Sequence, residues 1–196
     1  MDAHRKLADI ISYLLSPTTV AFYAIVILLL FSEETRQLDP GMIPLILSLA
    51  LFFLCINPIA GILYYTKKGK IDIWVSERQT RPPFYLIAIA GYCIASILFY
   101  YLDAHDFFVL SVAYVGVTTA VLITNYKTKI SSHSAGLTGP FTAVIFVIGF
   151  FALPLFVLLP LVIWARLKLN AHTFTQLIAG SIVGIIVTVA TYLMLY

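Results

Sequence analysis

Charge is what this sequence has least of. Only 11% of its 196 residues are Asp, Glu, Lys or Arg, while 61% are hydrophobic. A soluble domain carries about 25% charged residues, so a water-facing fold is excluded. Sustained alternation of apolar and polar residues is also missing, which excludes a transmembrane barrel. Cysteine is scarce: Cys55 and Cys93 sit inside apolar runs and offer neither a disulfide framework nor a metal site. No polar stretch is long enough to hold a second domain, so residues 1–196 are expected to form one transmembrane helical domain.

What is abundant is long apolar runs. A helix satisfies its own backbone hydrogen bonds in lipid, so the expected fold is an all-α polytopic membrane protein, a bundle of about six to seven transmembrane helices. Leu7, Ile10, Ile11, Leu14 and Leu15 fall at helical spacing. The segment around them, with His4, Arg5, Lys6 and Asp9, is too polar for a cleaved signal peptide. Residues 17–31 rise only about 22 Å, short of a hydrocarbon core of roughly 30 Å. One element kinked at Pro17 is therefore expected over 7–31. Further crossings are expected over 42–65, with bends at Asn57-Pro58 and Gly61, and over 84–102, 107–126 and 172–194. Asp103, His105 and Asp106 read as a polar turn. Gly180 and Gly184 have the spacing that lets helices approach closely.

The run 137–165 would be about 43 Å long as one helix, too long for a crossing without steep tilt. Two short antiparallel helices are expected instead, 132–152 and 154–168, joined near Leu153. That layout places three polar stretches, 67–83, 127–133 and 166–176, on one membrane face. It also puts eleven of the twelve Lys and Arg there, leaving only Arg36 on the other. The positive-inside rule makes the shared face cytoplasmic, together with the N-terminus.

Each polar stretch contains residues suited to an oxyanion. Arg166 precedes His172 by six positions, and Gln176 follows four later. A neutral histidine whose second ring nitrogen is held by a partner is a nucleophile, and Gln176 lies one turn along to hold it. Arg166 can grip phosphoryl oxygens with two parallel hydrogen bonds. His133 follows Lys129, Ser131 and Ser132 at a helix start, where backbone N–H groups attract anions and a serine also caps. Arg78 and Arg81, three apart before Pro82-Pro83, can reach a common anion. The plainer readings are an interfacial anchor for His172 and Arg166, a cap for Ser131 and a solvated loop for the upstream arginines.

Taken in order, the three clusters resemble the type 2 phosphatidic acid phosphatase superfamily. Its signature is Lys, six residues, Arg-Pro; then Pro-Ser-Gly-His; then Ser-Arg, five residues, His, three residues, Asp. Arg81-Pro82, Ser131 with His133, and Arg166 with His172 match these positions. Trp74 stands where the first Lys would be, Ile130 and Ser132 replace Pro and Gly, Ala165 replaces Ser, and Gln176 replaces the Asp. The resemblance implies an integral-membrane phosphatase acting on a lipid phosphate or isoprenoid (di)phosphate. His172 would be its nucleophile, oriented by Gln176, and His133 its general acid. Arg78, Arg81, Lys129, Ser131 and Arg166 would hold phosphate. It implies no metal and no cofactor; the partners expected are the lipid phosphate and membrane lipids, with no nucleic acid. A lipid-phosphate binder or transporter without turnover, and a structural membrane subunit, remain the rival readings.

Overall fold

The computed structural model describes residues 3–196, which are helical almost throughout. The chain is an all-α bundle whose outer surface is apolar: Leu86, Ile97, Ile123 and Ile186 all point outward. Such a surface suits lipid and not water. Among the described residues, five helical stretches are long and apolar enough to cross a membrane, and a bent pair, taken as one span, makes six.

That pair is α1 (Ala3–Leu14) and α2 (Pro17–Phe31), which meet at 48°. The bend falls at the expected place for a local reason. Ser16 caps α2 by accepting from the Thr19 N–H, and Pro17 occupies the first turn, where its missing N–H costs nothing. A short α3 (Glu33–Gln37) follows.

The second crossing is continuous over Ile43–Lys67 but not uniform. It comprises α4 (Ile43–Ala50), a π-wound segment Leu51–Ile56 and α5 (Asn57–Lys67). Pro58 cannot donate to the preceding turn, and the wider winding just before it absorbs the defect. Asn57 then donates to the Ile87 carbonyl across the interface with α6 (Pro82–Tyr101).

α7 (His105–Lys127) starts from a buried acidic group. Glu34 accepts the His105 and Asp106 N–H groups, capping the helix, and Ser32 donates to the Asp106 carboxylate. Asp106 is therefore fully buried, where a polar turn was expected. Burial first, and the Asp106 charge second, push the Glu34 carboxyl up to about 7.

The run 137–165 folds as a hairpin. α8 (Ser132–Ile148) ends at Gly149, a 3₁₀ stretch covers Phe150–Val157, and α9 (Leu158–Lys168) returns. The reversal sits at Gly149, earlier than the junction near Leu153, because its φ of +83° is open only to glycine at little cost. α9 ends beside the start of α8, since Trp74 contacts both Arg166 and His133. The last helix, α10 (Phe174–Leu195), begins two residues later than expected. Thr173 and Gln176 form a capping box there, which fixes the start at Phe174 and leaves His172 outside the helix.

α8 and α10 are the most intimate pair, and Gly180 and Gly184 are the cause. A Cβ on Gly180 would lie 2.4 Å from the Ser131 carbonyl oxygen. One on Gly184 would lie 2.7 Å from that of Ala135. Backbone cannot retreat as a flexible side chain can. Gly180→Ala is therefore expected to cost about 1–3 kcal/mol by overpacking. Gly41→Ala, whose Cβ would meet only the Asp39 side chain at 3.5 Å, should stay within about 0.5 kcal/mol of wild type. Denaturant unfolding in detergent micelles compares the two; equal stability contradicts the close-approach account.

Candidate functional site

The three polar stretches meet at one end of the bundle. The Ser131 N–H donates to the Gln176 carbonyl at 3.1 Å, tying the second stretch to the third. Asn125, near the end of α7, donates to the Arg78 carbonyl at 3.0 Å, tying the first stretch to the bundle.

The first stretch is shaped by Asp72. Its carboxylate accepts from the Trp74 N–H, the Ser76 N–H and the Ser76 hydroxyl. Burial alone would raise this carboxyl, but those hydrogen bonds outweigh it and hold it below its ordinary value. The turn forces Val75 to a φ of 45°, a strained conformation for a β-branched residue, worth on the order of 1–3 kcal/mol. The strain has a use, because the Val75 carbonyl accepts from Arg81 Nε at 2.8 Å and locks the guanidinium.

Trp74 lies at the centre of the assembly. Its ring faces Arg166 at 5.0 Å, His133 at 5.5 Å and Tyr13 of α1 at 4.5 Å. A lysine at this position would bring another cation; the indole instead offers Arg166 a π face.

His172 is held by Gln176, whose Oε1 lies 3.3 Å from Nδ1. The same Oε1 accepts the Thr173 N–H at 3.1 Å. Since a backbone N–H always donates, that atom is an oxygen, and the Nδ1 facing it must carry the proton. Nε2 is left with its lone pair. Burial, then the charges of Arg166, Arg81 and Lys129, lower the His172 pKa to about 3, with the Gln176 bond opposing. A neutral imidazole with a free Nε2 is the form a nucleophile requires.

Arg81, Arg166, His133, His172 and Trp74 line a cavity of about 290 Å³. Arg166 is 3% exposed, yet its Nε and Nη1 have no hydrogen-bond partner, and neither has His133 Nε2. The His133 ring bonds the Ser12 backbone through its other nitrogen. Lys129 is half-buried, and its pKa is lowered by burial and then by Arg81 and Arg166, with Asp72 opposing. Nearby cations are thus crowded at one cavity end.

Three of the residues expected to hold phosphate, Lys129, Arg78 and Ser131, are not on the cavity wall. Arg78 contributes its backbone carbonyl to Asn125. Ser131 is buried and its hydroxyl accepts the Ser134 N–H as the cap of α8. Sequence reasoning missed Tyr13 and the Ser12 backbone, because nothing in α1 signals contact with Trp74 or His133. It also missed Ser132, whose hydroxyl pairs with that of Tyr85 at 2.7 Å on the cavity wall.

Histidine ring NMR of the ligand-free protein should show His172 protonated on Nδ1, with a titration midpoint at about 3. A midpoint near the ordinary value of about 6.5 contradicts the cationic-cage geometry. The sign for stability follows. The unfolded chain takes up a proton below its ordinary pKa that the folded site refuses, so the His172 contribution weakens folding as pH falls from about 6.5 towards 3. His172→Asn should remove that part of the acid slope.

No protein-family model, curated protein or solved structure matches the chain.

Proposed function

We propose that the protein is an integral-membrane phosphatase that hydrolyses a lipid phosphate or isoprenoid (di)phosphate through a phosphohistidine intermediate. One observation carries this reading. Buried Arg166 and His133 present unpartnered nitrogens to the cavity that His172, held by Gln176, also lines. Buried polar groups are nearly always hydrogen-bonded; a tetrahedral oxyanion would accept from the Arg166 N–H groups and, once its charge favours the protonated ring, from His133 Nε2. The spacing of Arg166, His172 and Gln176 and its resemblance to the phosphatase signature point the same way.

In this mechanism Arg81 and Arg166 hold the phosphoryl oxygens, and the nearby Lys129 charge helps to spread that of the transferring group. The His172 Nε2 lone pair forms a bond to phosphorus as the bond from phosphorus to the lipid oxygen breaks. His133, protonated in the loaded site, gives its Nε2 proton to the departing oxygen. It then takes a proton from water, whose oxygen attacks phosphorus and breaks the P–N bond, releasing phosphate and neutral His172. The cations that depress His172 in the empty site are offset by the bound dianion, so its imidazolium forms without a carboxylate beside it.

The tail has a place as well. An apolar cavity of about 150 Å³ holds one benzene ring, so 290 Å³ accommodates roughly a dozen carbon atoms. The positive-inside distribution supports a cytoplasmic site. A binder without turnover is the second reading, favoured by the neutral Gln176.

Phosphate release from a panel of lipid phosphates by purified protein separates the two. Release by wild type and its loss in His172→Ala, with substrate still bound, is expected of the enzyme; binding without release in both proteins overturns it. Gln176→Glu is a sharper probe. It preserves the capping box and the bond to Nδ1 and adds a negative charge at a helix N-terminus, where charge of that sign is favourable. Turnover should rise about tenfold, the effect of replacing a neutral hydrogen bond by a charged one. Unchanged rates in both Gln176→Glu and Gln176→Ala would mean that Gln176 does not act on the nucleophile.

A further inference from the structure

The cavity has a second set of unsatisfied groups, far from the cations. Tyr114 on α7 and Thr188 on α10 line its inner part, and both hydroxyls are buried without a hydrogen-bond partner. Neither is a surface group: Tyr114 is 7% exposed and Thr188 1%. Leu110, Ala113 and Val117 line the same cavity, and Tyr92, Cys55 and Tyr192 lie near Tyr114 without hydrogen-bonding its hydroxyl.

The local backbone explains why no protein group reaches them. A threonine in a helix commonly bonds the carbonyl four residues back, as Thr138 does with Ser134. Thr188 instead turns its Oγ1 towards Gly139, 3.3 Å from where a Cβ would sit. Gly139 and Pro140 offer no polar side chain, and the flanking Thr138 and Thr142 hydroxyls are already given to the Ser134, Ser181 and Thr138 carbonyls. Tyr114 lies against the Tyr92 ring, centroids 5.1 Å apart, and that contact buries its ring without engaging its hydroxyl.

An orphaned buried hydroxyl costs the folded state, and two facing one cavity need a common reason. A plain hydrocarbon tail would leave both unpaired and exclude the water that could relieve them. The depth of the pair follows from the helices. Gly180 packs on Ser131 and Thr188 packs on Gly139, eight residues further along both α10 and α8. At 1.5 Å per residue the Thr188 hydroxyl lies about 12 Å below the phosphate end, and Tyr114 stands one helical turn from Val117, which also packs at Gly139.

We infer that Tyr114 and Thr188 form an inner polar subsite that takes an oxygen carried partway along the ligand's chain. The ligand class is a single-chain amphiphile with an anionic phosphate at one end and a hydroxyl, keto or ether oxygen deep in its apolar part. This inference rests on the proposed lipid-phosphate reading for the anionic end only; the inner subsite makes its own demand on the chain. It identifies Tyr114 and Thr188 as specificity-determining residues, acting by discrimination between tails.

Two ligand pairs test it, each measured for affinity in detergent against wild type, Tyr114→Phe and Thr188→Val. One pair is dodecyl phosphate and its mid-chain hydroxylated counterpart. The other is dodecanol and the corresponding mid-chain diol, which need no phosphate site. In wild type the hydroxylated member of each pair should bind about tenfold more tightly, the worth of one hydrogen bond to a buried partner. The preference should vanish in both variants. Tyr114→Phe should also raise the melting temperature of the ligand-free protein, because it removes an orphaned hydroxyl. A preference in the neutral pair alone upholds the subsite and counts against the phosphate reading. Equal binding within both pairs overturns the subsite, whether or not phosphate is released. A lowered melting temperature in Tyr114→Phe also overturns it, since the hydroxyl would then already have a partner.

Discussion

Arg166 sets the terms for the rest of the structure. Its guanidinium lies almost wholly inside the protein, with two nitrogens unpartnered, in a chain that places few charges anywhere. Removing an ion from water costs several kcal/mol even after the protein relaxes around it. Arg81 and Lys129 add to that cost, because like charges oppose one another where water is scarce. Asp9 and Asp72 relieve it from a distance through their charges on Arg166. The Trp74 face offsets a further part of that cost. Under the proposed function, an oxyanion bound there would offset this cost and stabilise the folded protein, by more the tighter it binds.

The fold can be understood as the means of holding that arrangement. The hairpin of α8 and α9 returns the chain so that Arg166 ends beside His133, and Gly149 makes the reversal possible. Gly180 and Gly184 let α10 lie against α8, which brings Gln176 to Ser131. Asp72 bends the upstream loop over the same end, and the strained Val75 carbonyl locks Arg81 there. Trp74 joins the three, giving Arg166 a π face where another cation would have repelled it. Small residues and hydrogen-bonded turns thereby do what a paired carboxylate does in other buried sites.

Much of this was legible in the sequence, because lipid imposes strong rules. Apolar runs, the break at Pro17, the helical hairpin within 137–165 and the close approach at Gly180 and Gly184 all follow from helix length and small-residue spacing. Arg81, His133, Arg166 and His172 could be singled out because such polar residues flank apolar segments only for a reason. Other features depended on tertiary contacts. Whether Arg78 or Arg81 faced the cavity was settled by Asn125 and Val75, which lie in separate segments. Asp106 looked like a turn residue because its partners, Ser32 and Glu34, are more than seventy positions away. The start of α10 is written in Thr173 and Gln176, whose spacing is that of a capping box, and Gln176 serves both that cap and His172. Tyr114 and Thr188 carry no local signal, since an unpaired hydroxyl is a property of the packed bundle alone.

The central claim is that His172 becomes covalently phosphorylated. Protein mixed with a lipid phosphate labelled at phosphorus and quenched within a turnover tests it most directly. The account predicts label on the peptide that contains His172, lost in acid and stable in base as a phosphoramidate bond requires. Release of phosphate with no labelled protein at any time, or label on a residue other than His172, would contradict it.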